Sequence, residues 1–193
     1  MFYSDEMNYE NNIKEYLSKE IEVLNEIDAL KINASICLIE ETRLKGGRVF
    51  VFGNGGSAAT ASHIANDFNK GISFDLKIKH NFICLNDNVA TITAIANDDC
   101  YENIFINQIE NILKPHDIII AISGSGNSEN VIRAVRYAKT NGNKIISMTG
   151  YDGGKLKELS DINLHAHVDN MQIAEDVHMI FNHIMMSMLK GCK

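Results

Sequence analysis

The first part of the chain carries apolar residues at helical spacing. Ile13, Leu17, Ile21 and Leu24 recur every three or four positions, and the pattern runs from about residue 8 to residue 43 without a proline. This period predicts one or two long amphipathic helices. Because an apolar helix stripe must be buried somewhere, we expect these helices to pack on the rest of the chain or on a neighbouring subunit.

Short apolar runs alternate with helical segments in the rest of the chain. Polar residues do not interrupt these runs, which is typical of strands that are buried on both faces of a parallel sheet. The fold class is therefore α/β, an open parallel five-stranded sheet flanked by helices with an N-terminal helical extension. The predicted strands cover residues 48–52, 81–85, 117–122, 144–149 and 162–166, and the main helices beside them cover residues 58–68, 129–140 and 172–189.

Composition limits the class of protein. The 193 residues are 45% hydrophobic, enough for one substantial core, so we expect one domain over residues 1–193, with N-terminal helices over residues 1–46 and an α/β core over residues 47–193. Only 18 basic residues stand against 25 acidic ones, for a formal charge of −7, which argues against nucleic acid as a partner. Four scattered cysteines predict neither disulfides nor a thiolate zinc site. No secretory leader or membrane-spanning run is evident, so we expect a cytoplasmic protein without a membrane partner.

Two polar loops follow predicted strands and open predicted helices. Residues 53–57 read Gly-Asn-Gly-Gly-Ser, and residues 123–128 read Ser-Gly-Ser-Gly-Asn-Ser. Either loop alone could be an ordinary solvated turn, and residues 53–57 fit neither the dinucleotide nor the P-loop pattern. Ligands of open α/β sheets bind outside the carboxyl ends of the strands, where both loops should lie. The two loops together therefore favour a small phosphorylated ligand held by hydroxyls, backbone N–H groups and helix N-termini.

Two further groups of residues could carry proton or metal chemistry. His63 and Asp67 lie four positions apart in a predicted helix, so both side chains can face one ligand, although such a pair is often only a surface hydrogen bond. The last helix carries Glu175, Asp176, His178 and His183 among apolar residues. That polar cluster fits either a functional site or the charged edge of a subunit interface.

Four motifs together resemble the phosphoheptose isomerases, which belong to the sugar isomerase (SIS) class. They are residues 53–57, residues 94–98 (Ala-Ile-Ala-Asn-Asp), residues 121–128 and residues 149–154 (Thr-Gly-Tyr-Asp-Gly-Gly). The motifs occur in the same order as in that family, and the resemblance covers nearly the whole chain, including the N-terminal helices.

The resemblance implies roles for the loop residues. Ser123, Ser125 and Ser128 would hold a phosphate, and Gly124 would belong to the same loop. The residues of the first loop and of the segment at 94–98 would contact the sugar. The implied substrate-binding set is therefore Asn54, Gly55, Gly56, Ser57, Asp67, Asn97, Asp98, Ser123, Gly124, Ser125, Ser128 and Glu175.

The resemblance also implies a metal site and an acid/base pair. Asp67 would be the catalytic base and His183 the general acid, and His63, Asp67, Glu175 and His183 would form an N2O2 ligand set that suits Zn²⁺, with other divalent ions still possible. Two positions depart from the usual pattern. Asp67 stands where the family usually has glutamate, and Glu175 stands where it usually has glutamine, so both the reach of the base and the charge of the site differ.

The implied activity is the interconversion of sedoheptulose 7-phosphate and D-glycero-D-manno-heptose 7-phosphate. This reaction begins bacterial heptose synthesis for lipopolysaccharide or capsule, and the family forms homotetramers through its N-terminal helices. Two alternatives stay open: a non-catalytic phosphosugar sensor or protein-binding adaptor on the same fold, and an isomerase of another ketose phosphate.

Overall fold

Five strands form one parallel sheet in the computed structural model, which describes residues 8–191. Every predicted strand is present within one or two residues of its expected bounds, and the predicted fold class is confirmed. The strands are β1 (Val49–Gly53), β2 (Phe82–Cys84), β3 (Ile118–Ser123), β4 (Lys144–Thr149) and β5 (Ile162–His165). Their order across the sheet is β2-β1-β3-β4-β5.

Helices precede, connect and follow the strands. They are α1 (Glu10–Asn25), α2 (Ala29–Leu44), α3 (Gly56–Asn66), α4 (Val89–Asp98), α5 (Ile106–Ile109), α6 (Glu129–Thr140), α7 (Gly154–Leu159) and α8 (Met171–Gly191). The N-terminal segment is two helices, because the Asp28 side chain caps α2 by accepting hydrogen bonds from the N–H groups of Leu30 and Lys31. Among residues 8–191, no helix is both long enough and apolar enough to cross a membrane.

The sheet separates two hydrophobic layers. Along β1, Val49 and Val51 face the layer that also contains α3 and α8, whereas Phe50 and Phe52 face the layer that contains α6. All five residues of β1 and all six of β3 are buried. Burial on both faces explains why these strands appear in the sequence as continuous apolar runs.

Helix α8 packs on the sheet through a stripe with helical period. The stripe consists of Ile173, Ala174, Val177, His178, Phe181, Asn182 and Met185, all buried. Helix α1 is tied to the outer side of α8 by Tyr16, whose hydroxyl donates to Asp176. That hydrogen bond, with burial and the charge of Asp176, raises the pKa of Tyr16 to about 12. Two polar residues, His178 and Asn182, therefore lie inside an otherwise apolar stripe.

The burial of His178 predicts a loss of stability in acid. Burial disfavours the imidazolium and lowers the pKa of His178 to about 4, whereas an unfolded chain has a histidine pKa near 6.5. Below about pH 6.5 the unfolded chain therefore binds a proton that the folded chain does not bind, and this difference destabilises the folded state. The urea concentration at the midpoint of unfolding should accordingly fall as the pH approaches 4. In His178→Leu this fall should be smaller. Met185→Leu, a change at another buried position of α8, should keep the original pH dependence, and an unchanged pH dependence in His178→Leu would contradict the prediction.

Candidate functional site

The two polar loops lie side by side at the carboxyl edge of the sheet. Strands β1 and β3 are direct neighbours, so the loops that follow them border one pocket of about 240 Å³. Most of the loop residues predicted from the sequence lie here. The lining consists of Asn54, Gly55, Gly56, Ser57, Ile122, Ser123, Gly124, Ser125, Ser128, Met171 and Glu175.

The loop after β3, residues 123–128, is called the serine loop, and it presents hydroxyls and the start of helix α6 to this pocket. Ser123 Oγ and Ser128 Oγ are 3.2 Å apart. Ser128 is the N-cap residue of α6, yet its side chain makes no capping hydrogen bond. The first N–H groups of α6 and its dipole thus favour an anion at this end of the helix. This arrangement can hold a phosphate group.

Gly126 lets the serine loop lie against the loop that follows β4. Its φ is +65°, and a Cβ at this position would lie 1.9 Å from the carbonyl oxygen of Gly153. The N–H of Leu156 also donates to the carbonyl of Gly126, at 2.9 Å. Residue 126 must therefore lack a side chain, since both the backbone conformation and the available space exclude one.

Asn54 is held by two other side chains. Asn54 and Asn130 exchange amide hydrogen bonds, each 2.9 Å long, and the hydroxyl of Tyr101 donates to Asn54 Oδ1 at 3.0 Å. The amide of Asn54 is thereby fixed at the rim of the pocket. Neither Asn130 nor Tyr101 belongs to a site motif recognised in the sequence, because their role depends on side-chain contacts between distant segments.

Asn97 and Asp98 lie apart from the pocket lining. They are the last residues of α4, both are exposed, and Asn97 Nδ2 donates to Asp98 Oδ1 at 2.8 Å. Their predicted contact with a sugar stays a prediction, since the pocket is bordered by other residues.

Three of the predicted metal ligands lie together where α3 meets α8. The ligand atoms of His63, Asp67 and His183 all lie within 4.8 Å of one another. His63 Nε2 is 3.2 Å from Asp67 Oδ2 and 3.3 Å from His183 Nε2, and His183 Nε2 is 3.9 Å from Asp67 Oδ2. Nitrogen and carboxylate-oxygen ligands about 2.0–2.2 Å from a tetrahedral zinc ion are themselves roughly 3.3–3.5 Å apart. Two of the three separations are close to that range, so the donor set fits a divalent ion.

Glu175 occupies a different place. It borders the pocket between the two polar loops, and its two carboxylate oxygens lie against Gly56, where a Cβ would come within 2.3 Å of each of them. Glycine at position 56 thus makes room for the carboxylate beside the N-terminus of α3, which favours negative charge. Glu175 is not among the three grouped ligands, so its position supports the predicted substrate contact more directly than the predicted metal contact.

Asn182 also belongs to the site, although no motif in the sequence points to it. Its side chain is fully buried, and its Nδ2 donates to Asp67 Oδ2 at 2.7 Å. A polar residue within the apolar stripe of α8 is the one sequence signal for such a role. Asp67 itself is the first residue of a π-helical turn, Asp67–Ile72, that extends α3, and such turns are frequent at functional sites.

Comparison with known proteins shows which class of protein this chain belongs to. The family model for the SIS domain matches residues 8–150, so the chain is a SIS-domain protein. The phosphoheptose isomerase of Helicobacter pylori (strain P12) is 38% identical over 172 residues, which are 89% of this chain and 87% of that protein.

Solved structures agree with this class. The phosphoheptose isomerase of Neisseria gonorrhoeae superimposes with a TM-score of 0.87 at 25% identity, covering 95% of this chain and 100% of that one. The phosphoheptose isomerase of Francisella tularensis gives a TM-score of 0.86 at 28% identity, with 95% and 98% covered. The chain belongs to the phosphoheptose isomerase family.

The contact at Gly126 can be tested with alanine. Gly126→Ala should lower the thermal unfolding midpoint and weaken the binding of inorganic phosphate, because the new Cβ forces the serine loop away from Gly153. Gly142→Ala is the matched control: its φ is +79°, but nothing lies within 4 Å of the added Cβ. The control should lose only the cost of a left-handed alanine, about 1–2 kcal/mol. Equal losses of stability in both variants, with phosphate affinity retained, would show that the contact is unimportant.

Proposed function

We propose that this protein interconverts sedoheptulose 7-phosphate and D-glycero-D-manno-heptose 7-phosphate by proton transfer between carbons 1 and 2. The observation that carries the proposal is the convergence of His63, Asp67 and His183 on the same helix pair that borders the phosphate pocket. Family membership supports the reaction class, an aldose–ketose isomerisation.

The spacing of the two regions suits an extended sugar phosphate. Gly56 and Glu175 lie together at the pocket, and His63 and His183 lie together further along the same two helices. His63 lies seven positions after Gly56, which is roughly 10 Å along a helix. A phosphate bound by Ser123, Ser125 and Ser128 would thus leave carbons 1 and 2, at the opposite end of the sugar, near a triad of side chains. This triad consists of His63, Asp67 and His183.

Asp67 and His183 supply the proton transfers in this proposal. Asp67 is 7% exposed, which shields the carboxylate from water, and it takes the proton from carbon 1 or carbon 2. His183 is exposed and can donate a proton to the sugar oxygens. Asp67 then returns that proton to the neighbouring carbon while the other sugar oxygen gives its proton back to His183, so the sugar is isomerised without a redox cofactor.

A divalent ion, zinc above all, fits the triad. When bound, it would polarise the oxygens on carbons 1 and 2 and so stabilise the charge of the enediolate. His63, Asp67 and His183 would hold it. Glu175 could join as a ligand only by leaving Gly56, and we assign it instead to the sugar hydroxyls.

The biological setting follows from the reaction. We propose that the enzyme acts in the cytoplasm at the start of heptose synthesis for lipopolysaccharide or capsule. An adaptor or sensor would need the phosphate pocket but not an acid/base pair, and the grouping of Asp67 with His183 favours the enzyme. An isomerase of another ketose phosphate is distinguished by offering five-, six- and seven-carbon substrates in parallel.

A homotetramer is the proposed assembly. Tyr9, Ile13, Leu17 and Ile21 form a single stripe along α1, and each is more than half exposed in the single chain. An exposed apolar stripe of this length is characteristic of a helix that packs on a second copy.

Turnover tests the proposed reaction. The purified protein, supplied with zinc, should convert sedoheptulose 7-phosphate to the aldose, as followed by NMR. Asp67→Asn keeps the size of the side chain but removes the base, so turnover should fall by about 10²–10⁴-fold. His183→Gln should also lower turnover.

His116→Gln is the matched control for His183→Gln. His116 is an exposed histidine just before β3, at the opposite edge of the sheet, and its replacement should leave turnover unchanged. No conversion of any ketose phosphate by the wild-type protein would refute the enzymatic proposal, and recovery of a stoichiometric protein partner with the inactive chain would then favour the adaptor.

Light scattering tests the assembly. Leu17→Glu places a charge in the middle of the α1 stripe and should reduce the molar mass below that of a tetramer. Ser18→Glu adds the same charge to the neighbouring exposed position, about 100° around the helix, and should leave the mass unchanged. A monomeric wild-type protein would exclude the tetramer.

A further inference from the structure

Asn182 and Asp67 form a buried contact that the proposed reaction does not by itself require. Asn182 is 0% exposed and Asp67 is 7% exposed. Asn182 Nδ2 donates to Asp67 Oδ2 at 2.7 Å, the same oxygen that faces His63 and His183. The orientation of the amide follows from the chemistry, because a flipped amide would place its carbonyl oxygen against a carboxylate oxygen, and neither can donate to the other.

We propose that Asn182 is a positioning residue that holds Asp67 Oδ2 toward His63 and His183 as a metal ligand. The inference rests on the proposed function of the triad. Residues that hydrogen-bond to a metal ligand fix its orientation, and their loss typically lowers metal affinity or activity. Asn182 precedes His183 in α8, so one helix supplies both a member of the triad and the support for another.

The contact also sets the length of the carboxylate side chain. A closely packed interior leaves no room for a further methylene between the Asp67 and Asn182 atoms, which are 2.7 Å apart. Asn182 fills the space that a longer side chain would use. Asp67 and Asn182 are thus matched to each other, and each substitution should have a different effect when the other residue has changed.

Cobalt binding by the chelator-stripped full-length protein provides a test that does not need turnover. Asn182→Leu has a similar volume but cannot donate, and it should weaken Co²⁺ binding by about 10–100-fold and alter the visible absorption of the bound Co²⁺. The control is Asn143→Leu, which replaces another buried asparagine whose Nδ2 donates to the carbonyls of Lys114 and Asp117, at the other edge of the sheet. It should lose stability but keep its Co²⁺ affinity.

A double substitution separates positioning from general loss of structure. Asp67→Glu alone and Asn182→Ala alone should each weaken Co²⁺ binding, and the combination of the two should restore most of the affinity because the longer carboxylate gains the vacated space. In the isomerase assay, Asn182→Leu should lower kcat and leave KM nearly unchanged, since Asn182 does not border the phosphate pocket.

Three results would overturn the inference: equal Co²⁺ affinities for the wild type and Asn182→Leu, additive losses in the double variant, or no Co²⁺ binding by the wild type. Failure of the proposed function looks different. In that case the wild type turns over no ketose phosphate, while the differences in Co²⁺ affinity among the variants persist.

Discussion

The candidate site depends on the packing of helix α8 against helix α3. The two helices bring together residues more than a hundred positions apart, with Asn182 on Asp67 and His183 on His63. Apolar burial drives this packing: Val177, Phe181 and Met185 are at most 1% exposed, and each contributes roughly 1.5–3 kcal/mol relative to an exposed side chain. Leaving a buried polar atom without a partner costs about 1–3 kcal/mol, so the apolar burial of the stripe can offset the presence of His178 and Asn182 within it.

Among residues 8–191, no basic side chain lines the pocket proposed to hold the phosphate. The described lining contains serine hydroxyls, glycines, an asparagine and two apolar side chains, and its one charged residue is the acidic Glu175. An anion must therefore be held by backbone N–H groups, serine hydroxyls and the N-termini of α3 and α6. Such a site recognises the shape of a phosphate as well as its charge. The backbone conformation of the serine loop, including Gly126, therefore matters more for binding than any one side chain.

Much of this structure could be predicted from the sequence, for physical reasons that apply to particular residues. Strands such as β3 are buried on both faces and so appear in the sequence as unbroken apolar runs. Once β1 and β3 are predicted, the positions of the two polar loops at their carboxyl ends follow. His63 and Asp67 are close because they are four apart in a helical segment. Glu175 and Asn182 could not be placed in the same way, since their positions depend on how α8 packs against α3 and on which glycine leaves space for a carboxylate.

The paired amides of Asn54 and Asn130 join the first loop to helix α6. Each side chain is both donor and acceptor for the other, so neither can change alone without leaving a polar group unsatisfied at the rim of the pocket. The residues at these two positions, although 76 residues apart, are therefore expected to change together. Within a lineage, a substitution at one of them should be accompanied by a compensating substitution at the other, which couples the evolution of the loop after β1 to that of helix α6.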